Sequence, residues 1–429
     1  MPTLSTDREP SRSVQLAEWF NQGCACVSLN PEALTTTLER QLGPALAKTL
    51  ARDMPGLFSP VALFLPAEEF RAMQQLIDTV ESVVQLPAYQ QQALQAAPMI
   101  ARHTPAAQAV FMGYDFHRNG LQPKLIEINT NAGGAYLNAA LQSAQQACCA
   151  DMAALLRIPV TGDFGANVLA MFREEWSRER GDAPLQRIAI VDQQPAQQFL
   201  YPEFELARQL FVREGIEAII TAPEHLRFHS NRLWHADQPI DLVYNRLTDF
   251  FLEDAAHEAL REAYIERAVV LTPHPHAYAL FANKHNLVYL SDPACWRAWQ
   301  LSEQQQSVLA KHIPKTIAVN PNHAEPLWQE RRQWFFKPAQ GFGSKASYRG
   351  DKLTRSTFAG IVAGDYVAQH IAPPTERIVN QHEHAISMKT DVRIYRYAGR
   401  TLLVAARLYQ GQTTNMRTPG GGFAAVYLT

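Results

Sequence analysis

Lys124-Leu-Ile-Glu-Ile-Asn-Thr-Asn-Ala-Gly-Gly134 is the stretch on which the reading of this chain turns. Residues 125–129 read as a strand, with Ile126 and Ile128 alternating with Glu127 and Asn129. Period-2 alternation puts the Glu127 and Asn129 side chains on one face, their Cα atoms about 6.5–7 Å apart. Two oxygen donors side by side on a stiff backbone suit a hard cation such as Mg²⁺. Upstream, Val110-Phe-Met-Gly-Tyr-Asp115-Phe-His117 reads as the antiparallel neighbour, turned at Asn119-Gly120. Pro123 leaves the pairing register open, and Asp115 can supply a third ligand. A polar edge hairpin would show the same alternation, but Thr130-Asn-Ala-Gly-Gly134 is poor material for a plain strand exit.

Further along, the chain carries a series of charged and glycine-rich landmarks. Asn283-Lys284 precedes a helical stretch and Ile313-Pro-Lys-Thr316. Gln333-Trp-Phe-Phe-Lys337-Pro338 is a strand that ends in a lysine, because proline cannot continue a central ladder. It runs into Ala339-Gln-Gly341-Phe-Gly343-Ser344-Lys345, where glycines let a backbone approach polyphosphate and Lys345 can help neutralise it. This is neither a P-loop nor a dinucleotide fingerprint, since the spacing of each is absent. Residues 365–371, with Gln369, read as another strand. A strong hairpin follows over 389–397 and 401–409, turned at Ala398-Gly399, with Asp391 and Arg393 sharing one face. Arg407, Asn415 and Gly420-Gly-Gly422 come last.

Taken together, these segments resemble the ATP-grasp ligases in a rotated order. In most of that superfamily Asp, then Glu-x-Asn-Thr-x-x-Gly, closes the chain; here it comes near the start. The resemblance is to circularly permuted ATP-grasp proteins, the group with glutathionylspermidine-synthetase-like enzymes, and it spans roughly residues 60 to 429. It implies a mixed α/β fold and magnesium ions, two in number, on Asp115, Glu127 and Asn129. ATP would be held by Lys284, Lys337, Gly341, Gly343, Ser344, Lys345, Gln369, Asp391, Arg393 and Asn415. Glu376, seven residues after Gln369, would take the ribose. Lys345, Arg407 and Arg246 would serve the chemistry, Arg407 at the acyl phosphate and Arg246 at a substrate carboxylate. The implied activity is ligation of a carboxylate to an amine, with ADP and phosphate released. An ATP-grasp kinase or a nucleotide-binding regulator would use much of the same machinery.

Four segments are expected. Residues 1–57 form an N-terminal helical extension, and 58–180 the displaced C-terminal part of the catalytic domain, including a helix over 138–156. Residues 185–282 form a small open sheet, signalled by the apolar run Arg187-Ile-Ala-Ile-Val191, the amphipathic stretch 202–214 and the run Ile240 to Arg246. Ligands on such sheets sit at the carboxyl ends of strands, where Asp192 and Arg246 stand. Residues 283–429 form the nucleotide lobes. Phe70, Met73, Leu76, Ile77, Val80, Val83 and Val84 recur at helical spacing.

Composition excludes some partners. The 39 Lys and Arg balance 41 Asp and Glu, so nothing favours nucleic acid or an anionic membrane. No apolar run approaches a membrane span, and the polar N-terminus lacks the build of a signal peptide. Five cysteines, including Cys24-Ala-Cys26 and Cys148-Cys149, suggest ordinary thiols in a reduced cytoplasm rather than a disulfide framework.

Overall fold

The computed structural model describes residues 11–341, 343, 345–381, 384–415 and 418–429. Its largest sheet is built from both halves of the chain. The order across it is Leu63–Leu65, Gly422–Leu428, Arg400–Tyr409, His384–Tyr397, Met112–His117 and Lys124–Asn129, with Thr375–Gln381 pairing the first half of the His384 strand. All neighbours are antiparallel except the first pair, Leu63↔Val426, which is parallel. The long hairpin turns at Ala398 and Gly399, both at positive φ, the conformation that two-residue hairpin turns demand.

One face of this sheet packs on the helix Ala67–Val84. Phe70, Met73, Leu76, Ile77, Val80, Val83 and Val84 are buried there against Tyr114, Ile128, Val392, Ile394, Val404 and Ala406. Each such side chain contributes about 1.5–3 kcal/mol of apolar burial, and the opposite face is divided between a second apolar cluster, with Tyr395, Tyr397, Leu403, Ala405 and Phe423, and charged residues.

A second sheet is parallel, in the order Val270–Thr272, Leu242–Asn245, Arg187–Val191, Glu217–Thr221. Ile188 to Val191 are fully buried, which is why that run carries no polar alternation. A third sheet, Thr316–Ala318, Tyr366–His370, Trp334–Pro338 and Tyr348–Arg349, is backed by the helix Arg355–Ala363 through Phe336, Phe358 and Ile361.

Two local expectations are corrected. The helix expected over 138–156 is instead a helix Ala135–Ser143, a strand Gln145–Ala147 and a short helix Ala150–Leu155. The interruption has a tertiary cause, because Gln145–Ala147 pairs with Val27–Leu29, so residues 1–57 are not purely helical. That pairing sets Cys148 opposite Cys26, whose carbonyl accepts its N–H at 2.8 Å. Cys24 and Cys26 are joined as a disulfide, where the sequence suggested ordinary thiols. Cys148 and Cys149 are free and exposed.

Candidate active site

The polar face of the large sheet carries two rows of charge set by strand register. Glu127, Asp115 and Arg393 stand opposite one another across three strands. Asp391, Arg407 and Phe423 form the adjacent row. Asp115 lies at the centre, 1% exposed. Arg393 donates to both of its oxygens, Nε to Oδ1 and Nη2 to Oδ2 at 2.6 Å each, and Arg407 Nη2 adds a third bond at 2.9 Å. Burial alone would push the Asp115 carboxyl up, but the two guanidinium groups outweigh it and hold the pKa well below the usual range. Asp391, fully buried, grips Arg407 Nε at 2.6 Å and accepts from Thr414 at 2.7 Å. Arg407 Nη1 has no hydrogen-bond partner among the described residues.

The register contains a bulge that the sequence pattern hides. Asp115 pairs Glu127 while Phe116 pairs Leu125, so Ile126 is the extra residue. Leu125 and Ile128 are therefore the core residues, and Ile126 joins Glu127 on the cavity side. This corrects the expectation that Ile126 and Ile128 point inward together. The bulge also frees the Ile126 carbonyl, which accepts from Lys337 Nζ at 2.8 Å.

Lys337 sits at the end of its strand and also donates to Gln369 Oε1 at 2.9 Å. Burial pushes its pKa down to about 8, opposed by Glu127 and assisted by Lys284. Lys284 Nζ is 3.1 Å from Glu127 Oε1 and donates to the Gly341 carbonyl at 2.7 Å. It follows a π-helical turn, Tyr278–Ala282, a geometry common near functional sites. Burial would push Glu127 up, but Lys284 and Lys337 pull its pKa below the usual value.

These groups line one cavity of about 540 Å³. Asp115, Glu127, Asn129, Lys284, Lys337, Gly341, Gly343, Gln369, Arg246, Arg393 and Arg407 all contribute to its wall. Other expected residues are not brought there. Lys345 is exposed and outside the lining. Glu376 is exposed on its strand, bonded to Ser387 and outside the lining. Residues 375–381 pair with residues 384–390 of the large sheet, Glu376 opposite Lys389, which itself lines the cavity. Asp391 and Asn415 also lie outside the lining, Asp391 acting through Arg407. Ser344 lies outside the described residues.

The structure adds residues with no sequence signal. His117 donates through Nδ1 to the Ala372 carbonyl, 2.6 Å away, and Phe335, Ile371 and Pro374 make an apolar wall beside Gln369. Glu203, in a helix read only for its apolar face, caps the helix Ala135–Ser143 by accepting from Gly134 N at 2.6 Å and Tyr136 N at 3.0 Å. Gly134 has φ +95, and a Cβ there would stand 2.4 Å from Phe423 Cζ. Only glycine fits that approach.

No protein-family model matches this sequence, and no curated protein matches it. Among solved structures, a glutathione synthetase-like effector from Globodera pallida, in apo form, is similar. It matches with a TM-score of 0.56 and 11% identity, over 93% of this chain and 98% of its own. The chain shares its fold with a glutathione synthetase-like protein. A putative gamma-glutamylcysteine synthetase from Methylobacillus flagellatus gives a TM-score of 0.47 at 11% identity, covering 83% of this chain and 86% of that one. D-alanyl-alanine synthetase A from Vibrio cholerae gives 0.29 at 11%, covering 55% and 91%. The mixed α/β class expected from the sequence is borne out by the helices and sheets of the fold.

Among the described residues no group of three or more His, Cys, Asp or Glu is placed to hold a metal. The oxygen set on the hairpin is of another kind, two carboxylates and an amide, with Asn129 Nδ2 3.3 Å from Asp115 Oδ2. No helix among the described residues is long and apolar enough to cross a membrane.

Proposed function

We propose that this chain is an ATP-dependent ligase that joins a carboxylate to an amine through an acyl phosphate. The observation that carries the reading is the convergence of Glu127 and Asn129, Lys284 and Lys337, and Arg393 and Arg407 on one cavity wall. Phosphoryl transfer needs positioning and charge neutralisation rather than a covalent nucleophile. Lys284 and Lys337 approach from the nucleotide side and would neutralise the phosphates, while Gly341 and Gly343 let backbone come close to them. Gln369 and the strand end at His370 to Ala372, with Phe335 and Ile126 beside them, offer an apolar slot with backbone edges for the adenine.

The hairpin suits magnesium, because hard carboxylate and amide oxygens are its preferred donors. Glu127, Asn129 and a remaining lone pair of Asp115 would hold it, and it would supply charge neutralisation at the transferring group. Arg407, clamped through Nε and Nη2, keeps Nη1 for the oxygens of the acyl phosphate, a pre-oriented donor where negative charge develops. Arg393 fixes Asp115 and so the spacing of both rows.

We also infer that the chain order is circularly permuted. Support comes from the pairing of the early hairpin Met112–Asn129 with the late strand His384–Tyr397, and of Leu63–Leu65 with Gly422–Leu428.

Hydroxylamine tests the reaction class. With ATP, Mg²⁺ and a pool of amino acids and short peptides, omission of the amine and addition of hydroxylamine should yield a hydroxamate and one ADP per hydroxamate. A phosphorylated product stable to hydroxylamine would mean that the protein is a kinase and would overturn the ligase reading.

A further inference from the structure

Cys24, Cys26, Cys148 and Cys149 meet where Val27–Leu29 pairs with Gln145–Ala147, and none of the four lines the cavity. The register fixes their relation. Val27 stands opposite Ala147, so the next residues out, Cys26 and Cys148, face each other across the ladder, and the Cys148 N–H donates to the Cys26 carbonyl at 2.8 Å. Residues directly opposite in an antiparallel pair share a face, with Cα atoms about 5.5 Å apart where they exchange ladder hydrogen bonds. A disulfide spans that distance. Cys26 is already bonded to Cys24, whereas Cys148 is a free, exposed thiol. A thiol set against a disulfide is a pair that can react.

Each side of such a reaction has a group that assists it. On the attacking side, the Cys148 thiol donates to Cys149 Sγ at 3.7 Å. The Met152 N–H, and then that thiol, lower the Cys149 pKa, while the same contact raises the Cys148 pKa. Cys149 is therefore the first of the two to ionise, and it is placed to take the Cys148 proton. On the departing side, a regular ladder would give the Cys26 N–H to the Cys148 carbonyl. It donates instead to Cys24 Sγ at 3.2 Å. A donor on the departing sulfur favours its thiolate, and a stabler thiolate leaves faster. Positive charge is joined to the same residue. Arg377, fully buried and with no ion pair among the described residues, donates through Nη2 to the Cys24 carbonyl at 2.5 Å.

We propose that these four cysteines form a thiol–disulfide exchange site in which Cys148 takes over the bond between Cys24 and Cys26. Cys148 passes its proton to the Cys149 thiolate, and its Sγ attacks Cys26 Sγ. The new S–S bond forms as the old one breaks, and Cys24 leaves as the thiolate. One disulfide and one thiolate stand on each side of the step, so it needs no outside oxidant or reductant. The exchange changes what the disulfide ties together. The Cys24–Cys26 bond closes a separation of two residues, whereas a Cys26–Cys148 bond staples the N-terminal strand to Gln145–Ala147. That strand follows directly on the helix Ala135–Ser143, which starts beside Gly133 on the cavity wall. The site stands apart from the ligase reading and does not depend on it.

Trypsin separates the two partners, because Cys24 and Cys26 fall in the peptide 13–40 and Cys148 and Cys149 in the peptide 125–157. The reduced full chain is oxidised with one equivalent of oxidised glutathione, quenched at intervals with N-ethylmaleimide, digested without reduction and weighed by mass spectrometry. Peptide 13–40 with an internal disulfide should appear first. A cross-link between the two peptides, with Cys24 alkylated, should then grow at its expense to at least a tenth of the chain. Cys148→Ser should abolish the cross-link, and Cys149→Ser should slow its growth at least fivefold without slowing the first step. Thermal melting checks that both variants fold. An internal disulfide that persists with no cross-link would overturn the proposal, as would a cross-link that survives Cys148→Ser or one that forms without the internal disulfide preceding it. Absence of any disulfide in peptide 13–40, or one zinc ion held per chain by the four thiols in native mass spectrometry, would overturn it equally.

Discussion

Asp115→Asn isolates what the central carboxylate does for the sheet. Asp115 accepts three charge-assisted bonds from arginines at 2.6, 2.6 and 2.9 Å in a fully buried position. The amide keeps the shape but carries no charge and turns one acceptor into a donor. Arg407 retains Asp391 at 2.6 Å, whereas Arg393 is left with a long bond to the Gly133 carbonyl at 3.4 Å. Removing one partner of a buried ion pair costs about 3–5 kcal/mol. That corresponds to roughly two to four orders of magnitude in a local opening equilibrium. Hydrogen exchange over the strands Met112–His117 and His384–Tyr397 reads that opening directly, without assuming that the whole chain unfolds in one step. Glu127→Gln is the internal control. Its carboxylate is 28% exposed with Lys284 3.1 Å away, so its loss should cost less than that of the fully buried Asp115 with its two arginines. If Asp115→Asn accelerates exchange in those strands no more than Glu127→Gln does, the arginines do not depend on Asp115 as argued.

Three further outcomes are expected. Glu127→Gln should keep the fold and lose ATP turnover by orders of magnitude, and near wild-type turnover at saturating Mg²⁺ would remove Glu127 from the metal set. Lys337, with its pKa pushed down to about 8, carries its charge below that pH and loses it above. ATP affinity, measured by fluorescence titration, should therefore weaken by up to about tenfold per pH unit above 8, and Lys337→Arg should flatten the profile. An unfolded lysine titrates near ~10.4, so between those two values this residue also makes nucleotide-free stability rise with pH. Gly134→Ala places a Cβ 2.4 Å from Phe423 Cζ at φ +95. It should cost about 1–3 kcal/mol by thermal melting and reduce amine-dependent ADP release more than ATP affinity.

The sequence made the polar face legible wherever a strand is long and regular. Asp391 and Arg393 share that face by period 2, and their hairpin brings Arg407 opposite Asp391 without any further information. The Asp115 and Glu127 hairpin was readable too, but only as an element. Its bulge leaves the Ile126 carbonyl to Lys337, about 210 residues away, and alternation alone assigns Ile126 to the core. Glu376 was read only by counting residues from Gln369, which says nothing of the pairing it enters. Two prolines at 373 and 374 precede its strand in the large sheet. The same kind of long-range pairing broke the helix expected over 138–156, where Val27–Leu29 recruits Gln145–Ala147 as a strand. Glu203 and His117 gave no signal, since each acts on a backbone group distant in sequence.

The most direct measurement of the central proposal follows an oxygen atom. Amino acids and short peptides labelled with ¹⁸O in their carboxylates are turned over with unlabelled ATP and Mg²⁺, and the released phosphate is examined by mass spectrometry. An acyl phosphate formed in the cavity beside Arg407 transfers one carboxylate oxygen to phosphate, so one ¹⁸O should appear in phosphate for each ADP. Phosphate without label, at undiminished ADP release, would contradict the account.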